Sequence, residues 1–167
     1  MTAMTAPSLL SPEHIAMVDR GVSVIVASRD AALRPSIMRG VGSAISADGT
    51  QVTVYLRRSQ SRQLLQDIEA GGGVAVVFSE PPTHRTLQLK ARAATLRPAG
   101  PTDQPLLDKY LAAMRHELAQ VGYGPGYVAA MLSAPLADVV ALQFTPQAAF
   151  DQTPGPRAGA PLPTALP

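Results

Sequence analysis

The stretch Tyr55-Leu-Arg-Arg-Ser-Gln-Ser-Arg62 lies between an alternating apolar run that ends at Leu56 and a helical pattern that begins near Gln63. It places two serine hydroxyls and three guanidinium groups where a strand is followed by the N-terminus of a helix. The first backbone N–H groups of a helix have no partner within it, the helix dipole favours an anion there, and arginine adds bidentate donors. The stretch therefore predicts a site for a phosphate group, and so a phosphorylated ligand.

The composition predicts one folded domain with frayed ends. A chain of 167 residues with 46% apolar content can bury one core, but it is short for two ordinary domains. We expect a flexible N-terminus over residues 1–10, the folded domain over residues 11–150, and a Pro/Gly-rich C-terminal tail over residues 151–167.

Several protein classes are excluded or disfavoured by what the sequence lacks. There is no cysteine, which excludes disulfides, thiolate zinc sites and a cysteine nucleophile. The first ten residues lack the basic start and apolar core of a signal peptide. The stretch from Tyr127 to Phe144 approaches membrane-spanning length, but Pro135 and Asp138 interrupt it, which predicts a short helix followed by a buried strand. We therefore expect a cytoplasmic protein with no membrane span.

Positive charge is concentrated in one part of the chain. Between Arg29 and Arg97, nine Arg and one Lys stand against five acids, whereas the whole chain has a net charge of only +2. Such clusters are often solvated surface. Aromatic residues make up 4% of the chain and there is no Trp, so little is available for stacking on bases, and no helix-turn-helix or ribonucleoprotein motif occurs. We therefore expect no nucleic-acid partner.

Local patterns predict an antiparallel, mainly β (α+β) fold. The six predicted strands cover residues 22–28, 36–46, 51–56, 74–78, 85–97 and 137–144, and helices are predicted over residues 11–20, 63–70 and 103–121, in addition to the short helix predicted after Tyr127. The segment 122–127 is predicted to be a flexible loop. Six strands with short connections and an inserted helix favour a closed or nearly closed barrel with flanking helices, because closure removes exposed strand edges.

The fifth predicted strand has a regular alternation. Leu87 and Leu89 face one way, whereas Thr86, Gln88 and Lys90 face the other. This pattern predicts a half-buried strand that presents a row of polar side chains.

Together, these elements resemble the FMN-binding split-barrel superfamily typified by pyridoxamine 5'-phosphate oxidase. The likeness covers roughly Glu13 to Phe150, and it is carried by the Ser-Gln-Ser-Arg junction and by His84-Arg-Thr-Leu-Gln-Leu-Lys90. It implies a six-stranded antiparallel split barrel, and a homodimer that binds FMN in a groove between its subunits.

The resemblance also implies which residues bind FMN. Arg39 matches an arginine on the second strand, Ser61 and Arg62 match the phosphate cluster, and Thr86 or Gln88 matches a polar residue that contacts the cofactor. Lys90 shares that polar row and is placed near the pyrimidine edge of the flavin, where a positive charge favours the reduced anionic ring. The candidate cofactor-binding residues are Arg39, Arg57, Ser59, Ser61, Arg62, Thr86, Gln88 and Lys90.

Each candidate also has an ordinary structural explanation. Arg57 and Arg58 are equally compatible with the solvated end of a strand, and Ser59 or Ser61 with a helix N-cap. The polar row is equally compatible with the solvent face of a strand. Two departures from the family further argue against pyridoxamine phosphate as the substrate: Gln63 stands where the oxidase has a lysine, and the oxidase's arginine-rich C-terminal segment has no counterpart.

We expect an FMN-dependent oxidoreductase that acts on a small molecule which the sequence does not identify. Two alternatives stay open, a flavin- or haem-binding module without turnover and a deazaflavin-dependent reductase. No side chain stands out as a catalytic acid or base. The three histidines lie on separate elements without metal-ligand spacing, so no metal site is predicted.

The tail is predicted to have two parts. Phe150 to Gly159 begins with a large apolar anchor, and its prolines lower the entropy cost of ordering it. We expect Gln152 to Arg157 to dock over the partner subunit near the flavin. The segment from Pro161 onward is predicted to be a flexible terminus.

Overall fold

The computed structural model describes residues 9–163. The predicted flexible N-terminus lies mostly outside the described residues. Its last two residues are part of the fold, since Leu10 is buried in the core and Leu9 packs against it.

Four helices and ten short strands follow one another along the described chain. The helices are α1 (Pro12–Arg20), α2 (Arg62–Glu69), α3 (Gln104–Ala119) and α4 (Pro125–Leu132). The strands are β1 (Ser23–Arg29), β2 (Pro35–Arg39), β3 (Gly42–Ile45), β4 (Val52–Arg57), β5 (Val74–Ser79), β6 (Thr86–Ala91), β7 (Thr95–Pro98), β8 (Val139–Phe144), β9 (Ala148–Asp151) and β10 (Ala160–Pro161).

The strands form two antiparallel sheets that share one core. The larger sheet has the order β10-β9-β6-β5-β1-β2, and the smaller sheet has the order β3-β4-β8-β7. Alternation along β1, β5 and β6 buries one face of the larger sheet and leaves the other half-exposed. The predicted mainly β (α+β) split barrel with flanking helices is confirmed.

The structure has ten strands where the sequence predicts six, partly because two predicted strands each pass from one sheet to the other. The predicted strand 36–46 divides into β2 and β3 around Gly40. A Cβ atom there would lie 2.6 Å from Val24 Cγ1 and 2.9 Å from Val54 Cγ1, so only glycine fits where the two sheets approach. The predicted strand 85–97 likewise divides into β6 and β7.

The C-terminal tail supplies further strands. Gly159 N donates to Asp151 O over 2.7 Å, and Leu162 N donates to Ala149 O over 2.9 Å, so the chain folds back along β9. Leu162 packs against the core. The prediction of a flexible terminus from Pro161 is therefore wrong for Pro161 and Leu162. The last four residues lie outside the described part of the chain.

The helix boundaries follow from recognisable end signals. Ser11 caps α1 by accepting a hydrogen bond from His14 N, and Gly21 ends that helix with a positive φ of 88°. The predicted flexible loop 122–127 is shorter in the structure because α4 begins at Pro125, a residue favoured in the first helical turn.

A buried polar network joins the smaller sheet to α3. Asp103 is 3% exposed and accepts hydrogen bonds from Tyr55 Oη at 2.8 Å and from both terminal nitrogens of Arg97 at 2.7 and 2.8 Å. Gly100 N also donates to it over 2.8 Å. The hydrogen bonds from Arg97 are the main reason that the pKa of Asp103 lies far below its usual value, whereas burial raises the pKa of Tyr55.

The long apolar stretch from Tyr127 to Phe144 divides into the end of α4 and the buried strand β8, as its interruptions predict. Within residues 9–163, none of the helices has the length and hydropathy that crossing a bilayer requires.

Candidate functional site

The predicted strand-to-helix junction is present. Strand β4 ends at Arg57, a single 3-10 turn covers Arg58–Gln60, and α2 begins at Arg62 with Ser61 at its N-cap position. The first N–H groups of α2 have no hydrogen-bond partner within the helix, as in any α-helix.

Ser61 is the most unusual residue of this junction. It is 2% exposed, yet its hydroxyl has no hydrogen-bond partner among the described residues and does not cap the helix. The side chain of the neighbouring Arg62 is exposed and forms no hydrogen bond or ion pair within residues 9–163. Because a buried hydroxyl without a partner is costly, Ser61 is the junction residue whose hydrogen-bonding capacity the described chain leaves unused.

Two other junction residues are engaged by the chain. Ser59 donates to the Asp138 carboxylate from its backbone N at 2.9 Å and from its hydroxyl at 2.6 Å. Arg57 donates to the carbonyl oxygen of Ser133, although its Nε is buried without a partner in the described structure. Hydrogen bonds from Ser59 lower the pKa of Asp138, so this carboxylate stays ionised and occupies both donors of Ser59.

Asp138 is a residue that the sequence did not single out for this site. It lies 79 positions after Ser59, and its role depends on β8 pairing with β4. No local pattern around Asp138 indicates this contact.

Arg39 lies on the half-exposed face of the larger sheet. It is exposed, and its guanidinium donates to Ser23 Oγ over 2.8 Å. Strand register places Arg39, Ile25, Val77, Gln88 and Phe150 in one row across five strands, which we name the central row. Arg39 and Gln88 are three strands apart, about 14 Å.

Thr86 and Gln88 contact the tail of their own chain. Thr86 N donates to Thr153 Oγ1 over 3.0 Å, and Gln152 N donates to Thr86 O over 2.9 Å. The Gln152 amide also donates to Gln88 Oε1 over 3.1 Å. The start of the predicted docking segment thus lies beside the predicted cofactor residues of β6, and the contacts that hold it are made within one chain.

Lys90 lies at the other end of β6. Its Nζ is 5.0 Å from the centre of the Phe150 ring, in cation–π contact. It lies four positions after Thr86 along the strand, a distance of about 13 Å.

Within one chain, the candidate cofactor-binding residues therefore fall into two groups that lie on different elements. The junction group comprises Arg57, Ser59, Ser61 and Arg62, and the sheet group comprises Arg39, Thr86, Gln88 and Lys90. No group of three or more potential metal-ligating side chains is found in residues 9–163.

Comparisons with known proteins bear on the fold. No protein-family model matches the chain, and no curated protein does. Among solved structures, a proposed pyridoxamine 5'-phosphate oxidase from Lactobacillus delbrueckii aligns with a TM-score of 0.55 and 13% identity, over 90% of this chain and 99% of that one. An F420 reductase aligns with a TM-score of 0.57 and 18% identity, over 84% and 98%. HupZ from Group A Streptococcus aligns with a TM-score of 0.53 and 16% identity, over 90% and 99%.

The chain has the fold of the pyridoxamine 5'-phosphate oxidase-like proteins. At these identities the likeness concerns the split-barrel fold alone, since such a fold can carry different functions. The three alignments cover 84–90% of this chain and 98–99% of the solved chains, so the split barrel is shared as a whole and not as a fragment.

Proposed function

We propose that this split-barrel protein binds FMN, with the phosphate at the N-terminus of α2. The observation that carries the proposal is the buried Ser61 hydroxyl, which has no acceptor or donor partner in the described chain and stands beside the unpaired Arg62. A phosphate oxygen would satisfy this hydroxyl, the arginine and the first N–H groups of the helix at once.

The residues present fit a phosphate only in part. Ser61, Arg62 and the helix start are available, whereas Ser59 is held by the ionised Asp138. The smallest phosphate-binding set is therefore Ser61, Arg62 and the first turn of α2. A phosphate that also used Ser59 would have to displace the Asp138 carboxylate.

The proposal includes a homodimer that buries the part of the half-exposed face of the larger sheet around Ile37 and the central row. On that face Ile37 is 64% exposed, and Ile25 and Val77 are partly exposed. Strand β8, which is apolar on both faces, is covered within its own chain by a second small core that includes Tyr55 and Ala141. In such a dimer, the sheet group of one subunit would complete the junction group of the other.

We further propose that the protein is an oxidoreductase acting on a small molecule. When bound, FMN supplies two-electron transfer, and the chain's part is to orient the cofactor and control access to it. In this proposal, the tail that is hydrogen-bonded to Thr86 and Gln88 limits solvent access to the cofactor.

A reductase that uses a deazaflavin is the second candidate, because the F420 reductase shares this fold at a TM-score of 0.57. The absorption spectrum of the purified protein separates the candidates. Flavin bands support the proposal, deazaflavin bands support the second candidate, and a haem band contradicts both.

The phosphate assignment is tested by titrating the cofactor-free protein with FMN and with riboflavin. FMN should bind more tightly, and Arg62→Ala should weaken FMN binding about ten- to hundredfold, since one charge-assisted hydrogen bond contributes roughly 1.5–3 kcal/mol. Riboflavin affinity should hardly change in this variant. Calorimetry or quenching of flavin fluorescence measures both constants.

Arg58→Ala is the matched control for that titration. Arg58 is an exposed arginine of the same junction, four positions earlier, and its loss should change FMN affinity by less than about threefold. Equal affinity for FMN and riboflavin, or equal effects of the two substitutions, would contradict the assignment.

A further inference from the structure

A groove lies at one edge of the larger sheet, at the end of β6 that carries Lys90 and not at the end that carries Thr86. At this end β1 and β6 end, β5 and β9 begin, and the turn Gly71–Gly73 closes one side. A Cβ atom on Gly72 would collide with the carbonyl oxygen of Arg29, so the turn is packed directly on the end of β1. The volume of the groove is about 780 Å³.

Three cationic side chains border the groove, namely Arg29, Lys90 and Arg92. All three residues are exposed, and none forms an ion pair with a carboxylate in the described part of the chain. The guanidinium of Arg29 donates only to the backbone oxygen of Asp30 at 3.4 Å, and Lys90 lies over the Phe150 ring.

Among the described residues, none that lines this groove is acidic. The positive charge is therefore not compensated locally, in contrast to Arg34, Arg85 and Arg97, each of which is paired with a carboxylate. Like charges gathered around a concave surface raise the local concentration of anions.

The floor of the groove is apolar and shallow. Ala27, Ala75 and Ala148 lie in one row of the sheet with Lys90. Their small side chains leave room above the sheet, and the three cationic side chains border that space. The floor can therefore contact an uncharged part of a ligand while the rim contacts its anionic groups.

We propose that this groove is a second ligand site, which binds a small organic polyanion carrying at least two phosphate or carboxylate groups. Its volume lies within the range of sites for small molecules. Arg29 and Arg92 belong to the groove alone, since neither is a candidate for the cofactor. The groove does not depend on FMN binding, and its test can fail or succeed separately.

The test titrates the full-length protein with pyrophosphate, citrate and ADP by calorimetry at low ionic strength, about 50 mM. We expect saturable binding of at least one probe, with one site per chain. The double substitution R29Q/R92Q should weaken that binding by about tenfold or more. A preference for pyrophosphate or for citrate tells whether the groove favours phosphate or carboxylate, and tighter binding of ADP than of pyrophosphate supports the role of the alanine floor.

R115Q is the matched control, because Arg115 is an exposed arginine of α3 outside the groove. It should leave the affinity for the bound probe within about twofold. Absence of saturable binding of all three probes, or an equal loss in R115Q, would overturn the proposal. So would a loss of FMN affinity in R29Q/R92Q, which would make the groove part of the cofactor site.

Discussion

The carboxylate of Asp103 holds three parts of the chain together. It accepts hydrogen bonds from Tyr55 on β4, from Arg97 on β7, and from the backbone of Gly100 just before α3. A buried carboxylate with this many donors is stabilised in its charged form, and the lowered pKa of Asp103 reflects that. The attachment of α3 to the smaller sheet therefore depends on ionisation of this residue.

Asp103→Asn should lower the free energy of unfolding by roughly 2 kcal/mol at neutral pH, because the charge-assisted bonds to Arg97 are lost. The native pKa of Asp103 is depressed below its ordinary 3.8, so its contribution is present above about pH 4 and fades as the pH falls further. The stability difference between wild type and variant should therefore narrow in acid. Denaturant unfolding at a series of pH values measures it.

Asp108→Asn provides the control for this prediction. Asp108 is exposed on α3, and within residues 9–163 its carboxylate accepts a side-chain hydrogen bond from Gln104 alone, so its substitution should change stability by less than about 0.5 kcal/mol. A stability difference for Asp103→Asn that is independent of pH would show that packing, and not charge, is what the residue contributes.

At the candidate site, the sequence identified local features and missed a distant one. Ser61 and Arg62 stand where strand and helix patterns meet, so their place at the start of α2 could be inferred from neighbouring residues. Asp138 reaches Ser59 only because β8 lies beside β4, a long-range pairing that no local pattern encodes.

At the scale of elements, the tail changes the edge of the larger sheet. Strand β9 would be an exposed edge if the chain ended at Asp151, and β10 covers part of it. Exposed edges are sites of unwanted pairing between chains. The segment between these strands remains beside Thr86 and Gln88, so the tail has a structural part and a part beside the candidate site.

Two truncations distinguish these parts. Removal of residues 158–167 deletes β10 and the packing of Leu162, and it should lower the free energy of unfolding by roughly 1–2 kcal/mol with FMN affinity nearly unchanged. Removal of residues 152–167 should in addition weaken FMN binding and make the bound flavin more accessible to quenchers. If the two truncated proteins hold FMN equally well, the segment 152–157 has no part in the site.

The sequence predicts the boundaries of elements where the chain carries end signals. It does not predict them where a strand leaves one sheet and enters the other. Ser11, Gly21 and the turn at Gly71 mark helix ends by their side-chain or backbone chemistry. The change from β6 to β7 carries no such signal, because the apolar alternation continues through Ala93 while the backbone turns into the other sheet.

At the scale of the whole molecule, the uncovered face of the larger sheet is the chain's main exposed apolar surface among the described strands. Ile37 lies on this face beside the central-row residues Ile25 and Val77, and the polar side chains of Arg39 and Gln88 flank these two in the row. An apolar centre with a polar border is typical of a surface that pairs with another protein. We therefore expect light scattering to give twice the chain mass of 17.4 kDa.

Ile37→Glu should convert the dimer into a monomer, because it buries an unpaired charge in the proposed interface. Leu33→Glu is the control, since Leu33 is 68% exposed but lies in the loop between β1 and β2, off the sheet face. Light scattering should report a monomer for the first variant and a dimer for the second. A monomeric wild-type protein that still binds flavin would contradict the proposed interface.

The two places where the chain passes between sheets also bear on how this protein folds. The segments β2–β3 and β6–β7 each contribute to both sheets, so the assembly of one sheet is linked through the chain to that of the other. Strands β4 and β8 must also find each other across more than eighty residues. Such non-local pairing slows folding and ties distant segments into a single cooperative transition. The connectivity that builds the barrel thus also discourages partly folded states with one sheet formed and the other open.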